Sequence, residues 1–221
     1  MHVSQAPSRR PLQRYVSSCS FIDCFAGSGG SVYISGPQQV LFDKVSWNNS
    51  ASEKTGGFLH AIDEAVVEIF DIIGADTMMQ EEYTYDSHCL GIDCKGGFAF
   101  LEKSASLNLS SVEIGSCKAC FGGCIFAESS TSVHIADIEV GQSTAGSIGG
   151  FMYLASGMAE ALIESITVSN SFAGIGGFAY IAGGTNLTLN LSTICSSADQ
   201  KGGVLFLAED EYFLVGSMVK L

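Results

Sequence analysis

Apolar and polar positions along this chain follow one short theme that recurs. A pair of glycines precedes a stretch of about five apolar residues, then comes a polar turn, then a segment in strict apolar/polar alternation. The glycine pairs are Gly29-Gly30, Gly56-Gly57, Gly96-Gly97, Gly122-Gly123, Gly149-Gly150, Gly176-Gly177 and Gly202-Gly203, separated by 27, 40, 26, 27, 27 and 26 residues. The apolar stretches read SVYI, FLHA, FAFL, CIFA, FMYL, FAYI and VLFL. The alternating segments include 107–114 (LNLSSVEI), 133–140 (VHIADIEV), 161–168 (ALIESITV) and 187–194 (LTLNLSTI). Alternation is the mark of a half-buried strand, and a fixed period in this range predicts a solenoid rather than a single compact core. Helical repeats need helix-length stretches at a 3.6 period, leucine-rich repeats need their leucine and asparagine ladder, and a propeller blade needs about 40–45 residues. The expectation is an all-β, right-handed parallel β-helix of seven to eight coils of 26–27 residues, about 35 Å long at the usual strand spacing.

Residues 1–17 are polar and basic and carry two of the three prolines, which reads as a disordered lead. The repeats occupy 18–221, with the surplus of the long second coil placed in a loop insertion near 75–90. Because the repeats begin and stop in mid-coil, and terminal repeats of solenoids carry polar caps, the chain is expected to be a segment of a longer solenoid.

Stacking turns equal positions into columns. Counting from the first glycine, the third and fifth positions are small or aliphatic and suit a narrow lumen. The fourth holds Tyr33, His60, Phe100, Phe126, Tyr153, Tyr180 and Phe206, and the second holds Phe58, Phe98, Phe151 and Phe178. Alternation places both aromatic columns on the face opposite the lumen, the alternative being that the aromatics fill the lumen and the aliphatic positions face out. Three uses for that face stay open: a contact with a protein partner or neighbouring β-helix coils, a stacking surface for glycans, or a face shielded by its own turns. The candidate binding residues are Tyr33, Phe100, Phe126, Tyr153, Tyr180 and Phe206.

Carboxylates also align. Asp71, Glu113 and Glu139 each sit at the centre of an apolar-x-apolar triplet, and Thr167 continues that row. Such a row suits solvent or a bridging cation such as Ca²⁺, which makes these three the weak metal candidates. Glu102 and Glu128 follow the first strand on consecutive coils and are the weak catalytic candidates, since paired carboxyls suit glycoside hydrolysis. The competing reading is a solvated acidic surface, and the overall expectation is non-enzymatic.

Composition narrows the partners. A net charge of −13 with no arginine after Arg14 argues against nucleic acid and anionic lipid. No apolar run has membrane-spanning length, and no signal peptide is legible. Eight cysteines are too sparse for a disulfide scaffold. Cys117-x-x-Cys120-x-x-x-Cys124 is half of a zinc pattern without its second pair. Cys24 and Cys117 occupy the position filled elsewhere by Ser143 and Ser171, and Cys89 and Cys94 flank the inserted loop and could pair in an oxidising compartment. Asn-x-Ser/Thr sequons at Asn48, Asn108, Asn186 and Asn190 lend some weight to an extracellular or cell-surface setting.

The recurring unit in FIDCFAGSGGSVY, IGSCKACFGGCIF, VGQSTAGSIGGFMY and VSNSFAGIGGFAY resembles the Phe-x-x-Asn and Gly-Gly-Ala-Ile repeats of chlamydial polymorphic outer-membrane protein passenger domains. It is also similar to right-handed β-helix repeats in surface proteins of protists. The resemblance covers about residues 19–215 and implies adhesion or surface display. The motif asparagine is Cys or Ser in the cleanest copies, and Ala-Ile after Gly-Gly is mostly Phe plus an aliphatic residue. The fold also looks like that of the pectate lyases, whose sites set basic residues against anionic sugars, but a catalytic arginine is absent from this stack. The functional expectation is a structural or adhesive module, with a carbohydrate-binding or polysaccharide-active β-helix as the alternative.

Overall fold

A computed structural model describes residues 12–79, 94–128, 131–155, 157, 160–183, 187–190, 192–208, 213–214 and 219–220. The described residues contain no helix, and every strand pairing is parallel. The chain winds as a β-solenoid around two sheets. A short sheet stacks seven strands, Val32–Ser35, Leu59–Ile62, Ala99–Leu101, Ile125–Ala127, Met152–Leu154, Ala179–Ile181 and Leu205–Leu207, in chain order. Seven rungs enclose six turns. The opposing long sheet is built mainly from Val66–Met79, Ser106–Phe121, Ser132–Ile148 and Glu160–Ile175. These long strands bend round the stack at a left-handed residue, Asp71, Ser111, Asp137 or Ser165, with φ between 51° and 53°. Short polar side chains tolerate that conformation better than other non-glycine residues.

The glycine pairs serve two different needs. The first glycine, for example Gly149 (φ +68°), is left-handed, and a side chain there would also meet the carbonyl of Met152 three residues on. The second glycine is required by its neighbour. A Cβ on Gly150 would land on the carbonyl oxygen of Gly177 in the next coil, and Gly30, Gly97, Gly123 and Gly177 face the same obstacle. Close backbone approach between coils therefore demands the residue without a side chain.

The third and fifth positions point into the lumen as expected: Leu59, Ala61, Ala99, Leu101, Ile125, Ala127, Met152 and Leu154 are fully buried. The second position differs from expectation. Phe58, Phe98, Phe151 and Phe178 are fully buried in the core, with Phe58 stacked on Phe98 at 5.4 Å and Phe151 on Phe178 at 5.2 Å. The cause is a local break in alternation. The N–H groups of Phe58 and Leu59 both donate to the Phe98 carbonyl, at 3.0 and 2.9 Å, and Phe151 and Met152 both donate to Phe178 at 2.7 and 3.0 Å. Two consecutive N–H groups aimed at one acceptor form a bulge, so the second and third positions face the same way.

Two boundaries also shift. Leu12–Ser17, read with the lead, is a strand paired in register with Gln38–Asp43. Residues 75–79, read with the insertion, belong to Val66–Met79, which pairs Ser52 with Met79. The rest of the insertion, 80–93, including Cys89, lies outside the described residues.

Candidate functional site

The fourth position carries the feature with most chemistry. Its seven rings form an unbroken outward ladder: Tyr33–His60 4.8 Å, His60–Phe100 4.8 Å, Phe100–Phe126 5.5 Å, Phe126–Tyr153 4.6 Å, Tyr153–Tyr180 5.0 Å and Tyr180–Phe206 5.2 Å between centroids. From Phe100 to Phe206 each ring lies within 24° of parallel to the next. Their faces are therefore used on one another, and edges are what the column turns outward.

Access differs along the ladder. Tyr33 at the first rung is 55 % exposed, whereas Phe100 and Phe126 are only 3 % and 4 % exposed. Tyr153, Tyr180 and Phe206 are half-buried. The cover at the middle is Lys95, which directly precedes a glycine pair. Its Nζ lies 4.8 Å from the centroid of Phe126 and 5.5 Å from that of Phe100, and 3.6 Å from Glu128 Oε2. An ammonium over a ring face is attracted by the ring's quadrupole, so Lys95 serves two partners at once. Burial pushes the Tyr153 hydroxyl above its ordinary pKa, reinforced by Tyr180 and Glu128.

The two carboxylates expected to act as a pair are adjacent, since Leu101 and Ala127 are in register just before them, but each has its own neighbour, a lysine for one and a histidine for the other. Glu128 takes Lys95. Glu102 Oε1 lies 3.4 Å from His60 Nε2, while Thr55 Oγ1 lies 2.9 Å from His60 Nδ1. This Thr55–His60–Glu102 chain was not legible in the sequence, although a histidine interrupting an aromatic column, with an acid after the next coil's strand, was a signal. Burial pushes the His60 imidazole below its ordinary pKa and Lys103 adds to this, while Glu102 opposes both. Hydroxyl, imidazole and carboxylate in a row suggest acyl transfer, yet the nearby N–H groups that could hold an oxyanion are taken. Gly56 N–H donates to Lys95 O at 3.0 Å and Gly57 N–H to Gly96 O at 3.2 Å. Among the described residues these two N–H groups beside the hydroxyl are thus already committed to the next coil, whereas that reaction needs donors aimed at an oxyanion.

The proposed acidic row is split. Glu113 and Glu139 are in register, with Thr167 next, and both glutamates are exposed. Asp71 belongs elsewhere: Val112 pairs with Ile72 and Glu113 with Ile73, so Asp71 falls in the left-handed corner column with Ser111. Among the described residues no group of three or more His, Cys, Asp or Glu is gathered to hold a metal.

The serine and cysteine column forms as expected, with Cys117, Ser143, Ser171 and Ser196 in register. Its task is to satisfy buried backbone. Ser143 and Ser171 donate to the carbonyls of Gly150 and Gly177, and Ser196 to that of Gly203 at 2.7 Å. At Cys117 the hydroxyl is replaced by a disulfide to Cys124, Cα–Cα 5.1 Å.

The outer face of the long sheet carries a hollow of about 330 Å³ whose polar lining includes Glu68, Asn108, His134 and Glu160. His134 Nε2 lies 3.6 Å from Glu164 Oε2, and Gln39 Nε2 donates to Glu68 Oε1 at 2.8 Å. Of the sequons, Asn48 is exposed, whereas Asn108 lines this hollow and Asn190 donates to Glu164 at 3.5 Å.

Comparison with known proteins returned no matching family model, no matching curated protein and no matching solved structure. The class the observations define is the parallel β-solenoid.

Proposed function

We propose that this chain is a structural or adhesive β-helix module of an extracellular or cell-surface protein. Its partners are neighbouring β-helix coils or a protein that meets the ring edges, with no nucleic acid and no membrane insertion by this segment. The observation that carries the reading is that the chemically capable side chains outside the lumen are used between coils. Ring faces stack on rings, Lys95 covers Phe100 and Phe126, Glu128 holds Lys95 and Glu102 lies against the His60 imidazole. A rod needs this kind of rung-to-rung bonding, and a polysaccharide platform needs open ring faces.

The test is a glycan-array screen of the folded chain with and without Ca²⁺, beside a Tyr153→Ala/Tyr180→Ala variant. The expected result is no specific glycan retained by either protein. Binding lost in the variant would overturn the reading and make the ladder a sugar platform.

One observation favours the carbohydrate-binding alternative, namely the hollow on the long sheet. Glu68 and Glu160 on its wall and Glu164 beside His134 favour neutral or amino sugars over uronates. Binding of a chitosan oligomer that His134→Ala and Glu160→Gln both abolish would support that alternative, and Glu102→Gln or Glu128→Gln leaving any turnover intact would remove those two residues from it.

A further inference from the structure

We propose that Cys94 and Cys120 form a disulfide that staples two successive coils where the chain returns from the excursion of the second coil. Lys95 and Phe121 are bridged in parallel register, which places Cys94 and Cys120 opposite one another on adjacent rungs. The Cys120 N–H donates to the Cys94 carbonyl at 3.1 Å and to the Cys94 Sγ at 3.2 Å. The two side chains are 4 % and 1 % exposed and share one small apolar cluster with Ala119 and Phe121, separate from the main core. Opposed residues on neighbouring strands lie about 4.8 Å apart, inside the Cα separation that a disulfide spans, roughly 4.4–6.8 Å. Parallel register also puts both Cβ atoms on the same side. Neither sulfur is in a disulfide in this structure, and closing the bond draws the Cβ atoms from about the strand spacing to about 3.8 Å.

The chemistry requires an oxidant, and a small-molecule disulfide of the glutathione class supplies it. One cysteine thiolate displaces a thiolate from the oxidant to give a mixed disulfide. The second cysteine attacks the protein sulfur, expels the other small thiol, and leaves Cys94–Cys120. Two protons and two electrons leave the protein, and the oxidant is reduced to two thiols. Because both sulfurs are buried in the finished stack and buried thiols are inert, the exchange belongs to folding, before the fourth coil closes over the third. With Cys117–Cys124 joining the end of the third coil to the start of the fourth, the staple concentrates the covalent bonds at the foot of the excursion, where a 40-residue gap replaces the usual 26–27 between glycine pairs. A staple also implies folding where thiols are oxidised.

The test is to refold the full chain with glutathione disulfide, block remaining thiols under denaturing conditions, digest without reductant and map the peptides. The expected result is a linked peptide pair containing Cys94 and Cys120, lighter than the two reduced peptides by two hydrogens, retained in Cys89→Ser and lost in Cys120→Ser. Reduction is expected to lower the Tm of the wild type by about 5–10 °C, and a Cys94→Ala/Cys120→Ala variant, which still folds with its Cys117–Cys124 bond, is expected to lose most of that shift. Recovery of Cys94 as a blocked thiol, or linked to Cys89, would overturn the proposal.

Discussion

Gly150→Ala offers the sharpest trial of how the coils are held. The added methyl lands on the carbonyl oxygen of Gly177, 2.6 Å from Ser171 Oγ and 2.9 Å from the Gly177 carbonyl carbon. Two of these three obstacles are backbone and the third is a buried serine already bonded to that carbonyl, so no flexible tip can swing aside. Relief requires the two coils to part locally. The ladder bonds at risk are Gly150 to Gly176 at 3.0 Å, and Phe151 and Met152 to Phe178 at 2.7 and 3.0 Å. Each is worth about 1 kcal/mol net, and overpacking adds about 1–3 kcal/mol, for a cost of roughly 4–6 kcal/mol in all. For a domain of this size that is a fall in Tm of roughly 10 °C, read by circular dichroism on heating and in a denaturant series. Gly27→Ala is the matched control, because the nearest atom to its added methyl is Glu53 Oε2 at 3.9 Å, and its effect is expected within about 0.5 kcal/mol. Equal stability of the two variants would refute the account of the second glycine.

Three further outcomes follow from particular contacts. Ser171→Ala removes the hydroxyl that donates to Gly177 O at 2.5 Å and leaves a buried acceptor, costing about 1–3 kcal/mol in the same denaturant series. The folded chain favours neutral His60, whose pKa is lowered from 6.5. The unfolded chain therefore binds the proton more readily, and stability is fully present above about pH 6.5 and lost as pH falls below it. His60→Phe, which keeps a ring between Tyr33 and Phe100, is expected to flatten that acid-side loss in denaturation midpoints measured from about pH 7 to pH 5. Glu113→Gln relieves a like-charge neighbour one rung away, worth about 1 kcal/mol or less in water. The gain should appear at low ionic strength and vanish in high salt.

The coil was legible because its glycines are. A pair at a 26–27-residue spacing before an apolar stretch fixes where each rung starts, and the third and fifth positions then had to be small enough for the lumen. The second position was misassigned because alternation was carried back through Phe58 and Phe98, where the structure has a bulge. Nothing in the letters FLHA or FAFL records that two N–H groups share one carbonyl. Asp71 was misplaced for a related reason. Aligning the triplets Phe70-Asp71-Ile72 and Val112-Glu113-Ile114 ignores the left-handed corner, which pairs Val112 with Ile72 and shifts the alignment by two residues. The small polar residues at Asp71, Ser111, Asp137 and Ser165 were the available sign of that corner. The Thr55–His60–Glu102 chain joins two coils across a 40-residue step, so its proximity belongs to the stacking and not to local spacing.

The same stacking sets which side chains of this surface meet. In a compact domain, acid, base and hydroxyl side chains gather because loops converge on a pocket. Here, several polar contacts outside the lumen join neighbouring coils: Tyr15 to Asp43, Gln39 to Glu68, Asn49 to Asp23, His60 to Glu102, Lys95 to Glu128, Lys103 to Asp63. Each is modest by itself at an exposed position, but each repeats the constraint already imposed by the backbone ladder and by the ring column. Their effect is to fix register, because a slip of one residue between coils would break the ion pair, unstack the ring and drive a side chain into the glycine row together.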